Sequence, residues 1–253
     1  MSMLRVLTFL LAVFFAGTSP AQAPAANDAA MVVHLLDYLG ADYSAAVKDG
    51  KVVSADEFKE MLEFSGQVVA RIGALPANPE RDKLAVEARQ LVKLVAGKGE
   101  AAKVAQAASQ LRWALVAAYK IQVAPKSTPA LADAPALYSA NCVSCHGKDA
   151  RGDGPAAKGL VPAPTNFHDA ERMASRSTYA LYNSISLGVQ GTAMTSFSQL
   201  PEKDRWALAF YVANAGVSPQ NVSRGEALWK LGKSSTSFDS QIPDLAALVS
   251  KSA

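Results

Sequence analysis

Between residues 28 and 122 apolar positions recur every three to four residues and never alternate cleanly, a pattern that predicts helices rather than strands. The first predicted helix carries "AAMVVHLLDYLG" and is expected to stop at Gly40. The second starts at Ser54, which forms a capping box with Glu57, and Phe58, Met61, Leu62 and Val69 supply its apolar stripe. Pro76 and Pro79 bar its continuation. A third helix is expected from about 80 to 96, with Leu84, Leu91 and Leu94 inward. After Gly97 and Gly99 a fourth is expected over about 100–123, burying Val104, Leu111, Leu115 and Tyr119. Four such helices with short connections predict an antiparallel bundle over residues 24–123.

The pattern changes after that bundle. Residues 124–132 are Pro-rich and read as a linker. Asp133 is placed to cap a short helix through Leu137 and Tyr138. Residues 147–167 are rich in Gly and Pro and read as loop. Helical spacing returns at 177–187 and again at 201–216, where Pro201, Glu202 and Asp204 suit a first turn and Trp206, Ala209, Phe210 and Ala213 form one face. The expectation is an all-α chain in which a second, smaller domain over 133–216 follows the bundle. The tail over 217–253 is polar, with one weak helix after Asp244.

Composition narrows the setting. Half the residues are apolar and 19% are charged, enough for one large or two small cores. Residues 1–23 read as a secretory signal, with Arg5 followed by an apolar run over 6–17 and the small-residue site Ala21-Gln22-Ala23. That run is too short to span a bilayer, although an uncleaved signal would serve as an anchor. The mature chain is therefore expected in the periplasm, at a membrane only through a partner or that signal. It would carry 24 basic and 22 acidic residues once Arg5 is removed. With no Lys/Arg block, nucleic acid is not an expected partner.

The two cysteines stand in "NCVSCHGKDARGDGPAA", as Cys142 and Cys145 with His146 directly after. Two thiols one helical turn apart can each add to a vinyl group of one porphyrin while the adjacent imidazole reaches the iron, so the motif predicts one covalently attached haem c. A structural zinc site needs four ligands, and only His34 and His168 remain as further imidazoles. A thioredoxin-like pair needs a βαβ context, and a disulfide leaves His146 unexplained. "RGD" at 151–153 is a three-residue match of little weight. Met194, Met173 and His168 are the candidates for the second axial position. Met194 is preferred, because "GVQGTAMTSFSQL" is a Gly-bearing loop just before the last strong helix. An open sixth position would instead imply a haem enzyme or sensor. The carbonyl of Pro162 or Pro164 is expected to accept the His146 Nδ1 proton.

On "CVSCHG", "GDGPAAKGLVPAPTNF", "GTAMTSF" and "WALAFYVANAG", residues 131–216 resemble a class I c-type cytochrome domain. The resemblance implies His146 and Met194 as axial ligands and electron transfer rather than substrate chemistry. Thr195 stands where such domains often carry proline. "YLGADYSAAVKDGKVVSADEFKEMLEFSGQV" and "RGEALWKLGK" further resemble the extracytoplasmic part of bacterial proteins that join cytochrome c to an Ftr-type iron permease. That implies a redox partner, a membrane iron permease or a respiratory component, and an electron accepted as ferrous iron is oxidised for uptake. An electron-donor subunit of a respiratory oxidase is the alternative. Asp37, Asp42, Tyr43, Asp49, Glu57, Glu60 and Glu63 offer hard oxygen ligands, with Asp42, Glu60 and Glu63 the candidate iron site, against the reading of a capped, solvated helix face. His34 is expected to be a packed helix residue.

Overall fold

The computed structural model describes residues 24–127, 129, 131–232 and 242–251. The expected signal at 1–23 lies outside them. The first helix, α1 (Pro24–Ala46), is buried on most of its circumference, through Val32, Val33, Leu35, Leu36, Leu39 and Tyr43. It runs past Gly40, where the sequence predicts an end. α1 packs along α2 and α4 on both sides of Gly40, and that packing outweighs the roughly 1 kcal/mol helix cost of glycine.

Asp49 and Gly50, both at positive φ, then turn a hairpin between β1 (Val47–Lys48) and β2 (Lys51–Val52). The Asp-Gly pair is the sequence signal for this turn, which the helical pattern around it concealed. Ser54 caps α2 (Ala55–Ala74), accepting from the Glu57 amide at 3.3 Å. Its buried stripe is Met61, Phe64, Val68 and Ile72, while Leu62 is exposed. α3 (Arg81–Ala96) buries Leu84, Ala88, Leu91 and Val95. α4 (Ala101–Tyr119) buries Val104, Ala108, Leu111 and Leu115 and stops where Lys120 turns left-handed. The bundle is closed: α1 packs on α2 and α4, and α3 packs on α2 and α4.

The second domain begins with α5 (Ala134–Asn141) and the single turn α6 (Val143–His146). α7 (Ala170–Ala174), α8 (Thr178–Leu187) and α9 (Glu202–Ala213) follow, and α9 packs on both α5 and α8. Trp206 of α9 is buried and stacks on Tyr182 of α8, with centroids 4.1 Å apart. Tyr138 of α5 meets Tyr211 of α9 at 5.2 Å. Among the described residues of the tail lie two helices. α11 (Leu245–Ser250), capped by Asp244, is the helix expected after that residue, and α10 (Pro219–Gly232) is an addition the polar composition hid. No helix among the described residues is long and apolar enough to cross a membrane.

α1 also packs on α8, and polar bonds accompany this contact. Arg176 Nη2 donates to both carboxylate oxygens of Asp42 at 2.6 Å, and its guanidinium lies 4.8 Å over the Tyr38 ring. Arg112 donates to the buried Asp37 at 2.5 Å. Burial raises the Asp37 pKa against the pull of Arg112. His34 is 3% exposed, meets Tyr38 edge-on at 5.1 Å, and bonds through Nε2 to the Gly188 carbonyl at 2.9 Å. Because a carbonyl only accepts, Nε2 carries the proton and donates.

Burial, reinforced by the Arg176 charge and opposed by the Gly188 bond, pulls the His34 pKa down from 6.5 to about 4. Between those values the unfolded chain binds more protons than the folded one. Stability therefore falls as pH drops through that window, by about 3 kcal/mol in full. The raised Asp37 pKa acts in the opposite sense, so the His34 share is read by difference. In urea unfolding, the stability advantage of wild type over H34Q should shrink by about 2–3 kcal/mol between about pH 7 and pH 4.5. Parallel pH profiles would contradict a buried neutral His34.

Candidate functional site

Cys142 ends α5, its amide donating to the Tyr138 carbonyl at 2.8 Å, and the chain winds at once into α6. The His146 amide donates to the Cys142 carbonyl at 2.8 Å, closing one helical turn that carries both cysteines and the histidine. Both thiols are free and partly exposed. Burial, with a contribution from Cys145, pushes the Cys142 thiol up to about 11.

A helix this short leaves nearly all its carbonyls without helical partners. The Gly/Pro-rich loop supplies them. Amides of Gly152, Gly154 and Ala156 donate to the carbonyls of His146, Cys145 and Ser144 at 2.8, 3.1 and 2.8 Å. Gly154 is required by proximity: a Cβ there would press on the carbonyl oxygens of Val143 and Ser144 and lie 2.7 Å from the Cys145 carbonyl carbon. From the other side, the Tyr138 hydroxyl donates to the Gly147 carbonyl at 2.9 Å.

The His146 ring stacks on Phe167, with centroids 4.8 Å apart, and its Nδ1 bonds to the Thr165 carbonyl at 3.1 Å. The acceptor is thus Thr165, a correction to the expected Pro162 or Pro164. The Pro164 carbonyl oxygen instead lies against Gly152. Burial lowers the His146 pKa, the Thr165 bond opposing. In the neutral ring Nδ1 donates, so Nε2 keeps the lone pair a metal needs. Two adjacent thiols, one imidazole lone pair and a turn whose carbonyls are covered fit haem c.

Met194 is half-buried on the loop between α8 and α9. Its amide donates to the Thr192 hydroxyl at 3.1 Å, and its carbonyl accepts from Val189 at 2.9 Å. Met173 sits near the end of α7, also packed on the core. His168 bonds through Nε2 to the Asp149 carbonyl at 2.8 Å, which leaves Nδ1 as its other ring nitrogen. His34 is the packed residue expected of it.

The candidate iron site at Asp42, Glu60 and Glu63 is corrected by the structure. Asp42 is occupied by Arg176, and among the described residues no three His, Cys, Asp or Glu side chains are arranged to hold a metal ion. Burial raises the Glu60 pKa, helped by Glu57, Asp42 and Glu63, so the carboxylates repel across this face. Sequence reasoning missed Thr165 and the loop amides, since backbone groups carry no residue signature. The glycine spacing in "GKDARGDG" was their only visible trace.

Residues 131–216 match the family model described as Cytochrome c. No curated protein and no solved structure matches the chain. Residues 131–216 are thus a cytochrome c domain, which carries one covalently attached haem c.

Replacing Cys142 or Cys145 by Ala should leave at most one thioether, and the double variant none. Haem staining after denaturing electrophoresis should show loss of the stain in the double variant. G154A should cost about 1–3 kcal/mol by forcing the loop off the α6 carbonyls, measured by chemical denaturation of the holoprotein.

Proposed function

We propose that this protein is an exported mono-haem electron carrier that accepts electrons during oxidation-coupled uptake of ferrous iron by a membrane permease. The cytochrome c domain makes it a haem-based electron-transfer protein. In this reading Cys142 and Cys145 form the thioethers, and His146 Nε2 and Met194 Sδ take the axial positions. The observation that carries it is the His146 Nδ1 bond to Thr165, which turns the opposite ring nitrogen outward as a ligand.

Haem, when bound, supplies a one-electron iron couple. The chain's own part is to fix the ligands and to exclude water from them. His146 is held by Thr165 and Phe167, and burial keeps it neutral. Met194 sits on a loop stitched to the end of α8, where the Phe197 amide donates to the Ile185 carbonyl at 2.9 Å and the Ser196 hydroxyl to the Ser186 carbonyl at 2.6 Å. A thioether favours reduced iron and raises the potential relative to a second imidazole, which suits an electron acceptor. The uptake role rests on the sequence resemblance over the bundle and the "RGEALWKLGK" segment. Export rests on residues 1–23. Each ferrous ion oxidised gives up one electron, and one protein takes it.

M194A should lose the methionine–iron charge-transfer band of the ferric protein and bind carbon monoxide readily when reduced. An unchanged spectrum would sink the axial assignment and favour an open-site haem protein. In stopped-flow mixing with ferrous iron and permease-containing vesicles, ferric protein should be reduced one-to-one with ferric iron entering the lumen. Failure of both while other electron donors still reduce the protein would redirect the role to respiration.

A further inference from the structure

The peptide unit joining Gly188 to Val189 is held at both ends. Its carbonyl accepts from His34 Nε2 of α1 at 2.9 Å, and its N–H donates to the Met194 carbonyl at 2.9 Å. The unit is planar and rigid, so a displacement at one end is transmitted to the other. Gly188 itself is buried, with φ +73, and a Cβ there would lie 2.8 Å from the Met194 carbonyl oxygen and 2.8 Å from the Ser196 nitrogen. The returning strand of the methionine loop is therefore pressed directly onto this peptide. α8 has ended at Leu187, and among the described residues His34 is the hydrogen-bond partner of this carbonyl.

We propose that His34, a residue of the helical bundle, is a positioning residue for the methionine ligand of the haem: its bond to Gly188 anchors the peptide that holds Met194. This rests on the reading of Met194 as an axial ligand. The surrounding contacts keep His34 in place. Its ring meets Tyr38 edge-on, Tyr38 lies under the Arg176 guanidinium, and Arg176 is tied to Asp42, so the donor is oriented by the same face that joins the two domains. A hydrogen bond into the carbonyl also polarises the peptide and strengthens its N–H as donor to Met194. Removing the donor leaves a buried carbonyl unsatisfied, which favours conformations in which the loop lifts away.

The test is H34F, which keeps ring volume but cannot donate, beside H34Q, which restores a donor. In the holoprotein H34F should weaken the methionine–iron charge-transfer band, lower the reduction potential and bind carbon monoxide roughly tenfold faster, the population shift for about 1.4 kcal/mol lost from the closed loop. H34Q should return all three toward wild type. A folded H34F with wild-type band, potential and carbon monoxide rate would overturn the inference. M194A separates the two readings: loss of the band in M194A but not in H34F refutes the His34 role alone, and a band untouched in M194A removes the axial assignment and this inference with it. Native-state hydrogen exchange of the unmodified holoprotein supplies a second check that needs no variant. The Val189 amide should exchange only with an opening that also exposes the α1 amides, and exchange through a separate, easier opening would refute the coupling.

Discussion

One helical turn has to present two thiols and an imidazole to a single ligand, and a turn that short cannot satisfy its own backbone. The local architecture of residues 134–168 follows from this constraint. Tyr138 and the α5 carbonyls hold the turn from the N-terminal side, and the amides of Gly152, Gly154 and Ala156 cover its carbonyls from the other. The loop that provides those amides goes on to place the Thr165 carbonyl on His146. One segment thus satisfies the turn and selects the ring nitrogen left for iron. Its glycines and prolines are the means by which backbone, rather than side chains, approaches the turn closely enough.

The bundle is more than a neighbour of this site. α1 is buried against α2 and α4 and also packs on α8, and polar bonds from His34 to Gly188 and from Asp42 to Arg176 tie it to the segments flanking α8. Ion pairs at such a surface contribute little to net stability, because desolvation offsets most of the Coulombic gain, but they fix register. The bonds from Arg176 to Asp42 and from His34 to Gly188 define how the second domain sits on the first. The second of these ends within one peptide of the Met194 loop.

The helices of the bundle were legible because apolar spacing of three to four residues is a strong signal, and the cap at Ser54 marked α2 to the residue. Gly40 misled in the other direction: local propensity reads it as a stop, whereas α1 is carried through it by packing against α4. Leu62 was read into the apolar stripe by its spacing and lies outside because the buried stripe runs through Phe64 and Val68. At the site, Cys142, Cys145 and His146 were readable from residue type and spacing. Thr165 was not, since any residue has a carbonyl and the residue type does not say which one the ring reaches. The carboxylates at Asp42, Glu60 and Glu63 looked like ligands only while Arg176, far away in sequence, was out of view.

The central claim is that a neutral, Thr165-oriented His146 and the thioether of Met194 together hold one haem for electron transfer. Near-infrared magnetic circular dichroism of the purified ferric holoprotein tests it most directly, because low-spin haem reports its axial pair at that wavelength range. The account predicts a single low-spin species with histidine–methionine coordination. A bis-histidine signature, or a high-spin species with an open position, would contradict it.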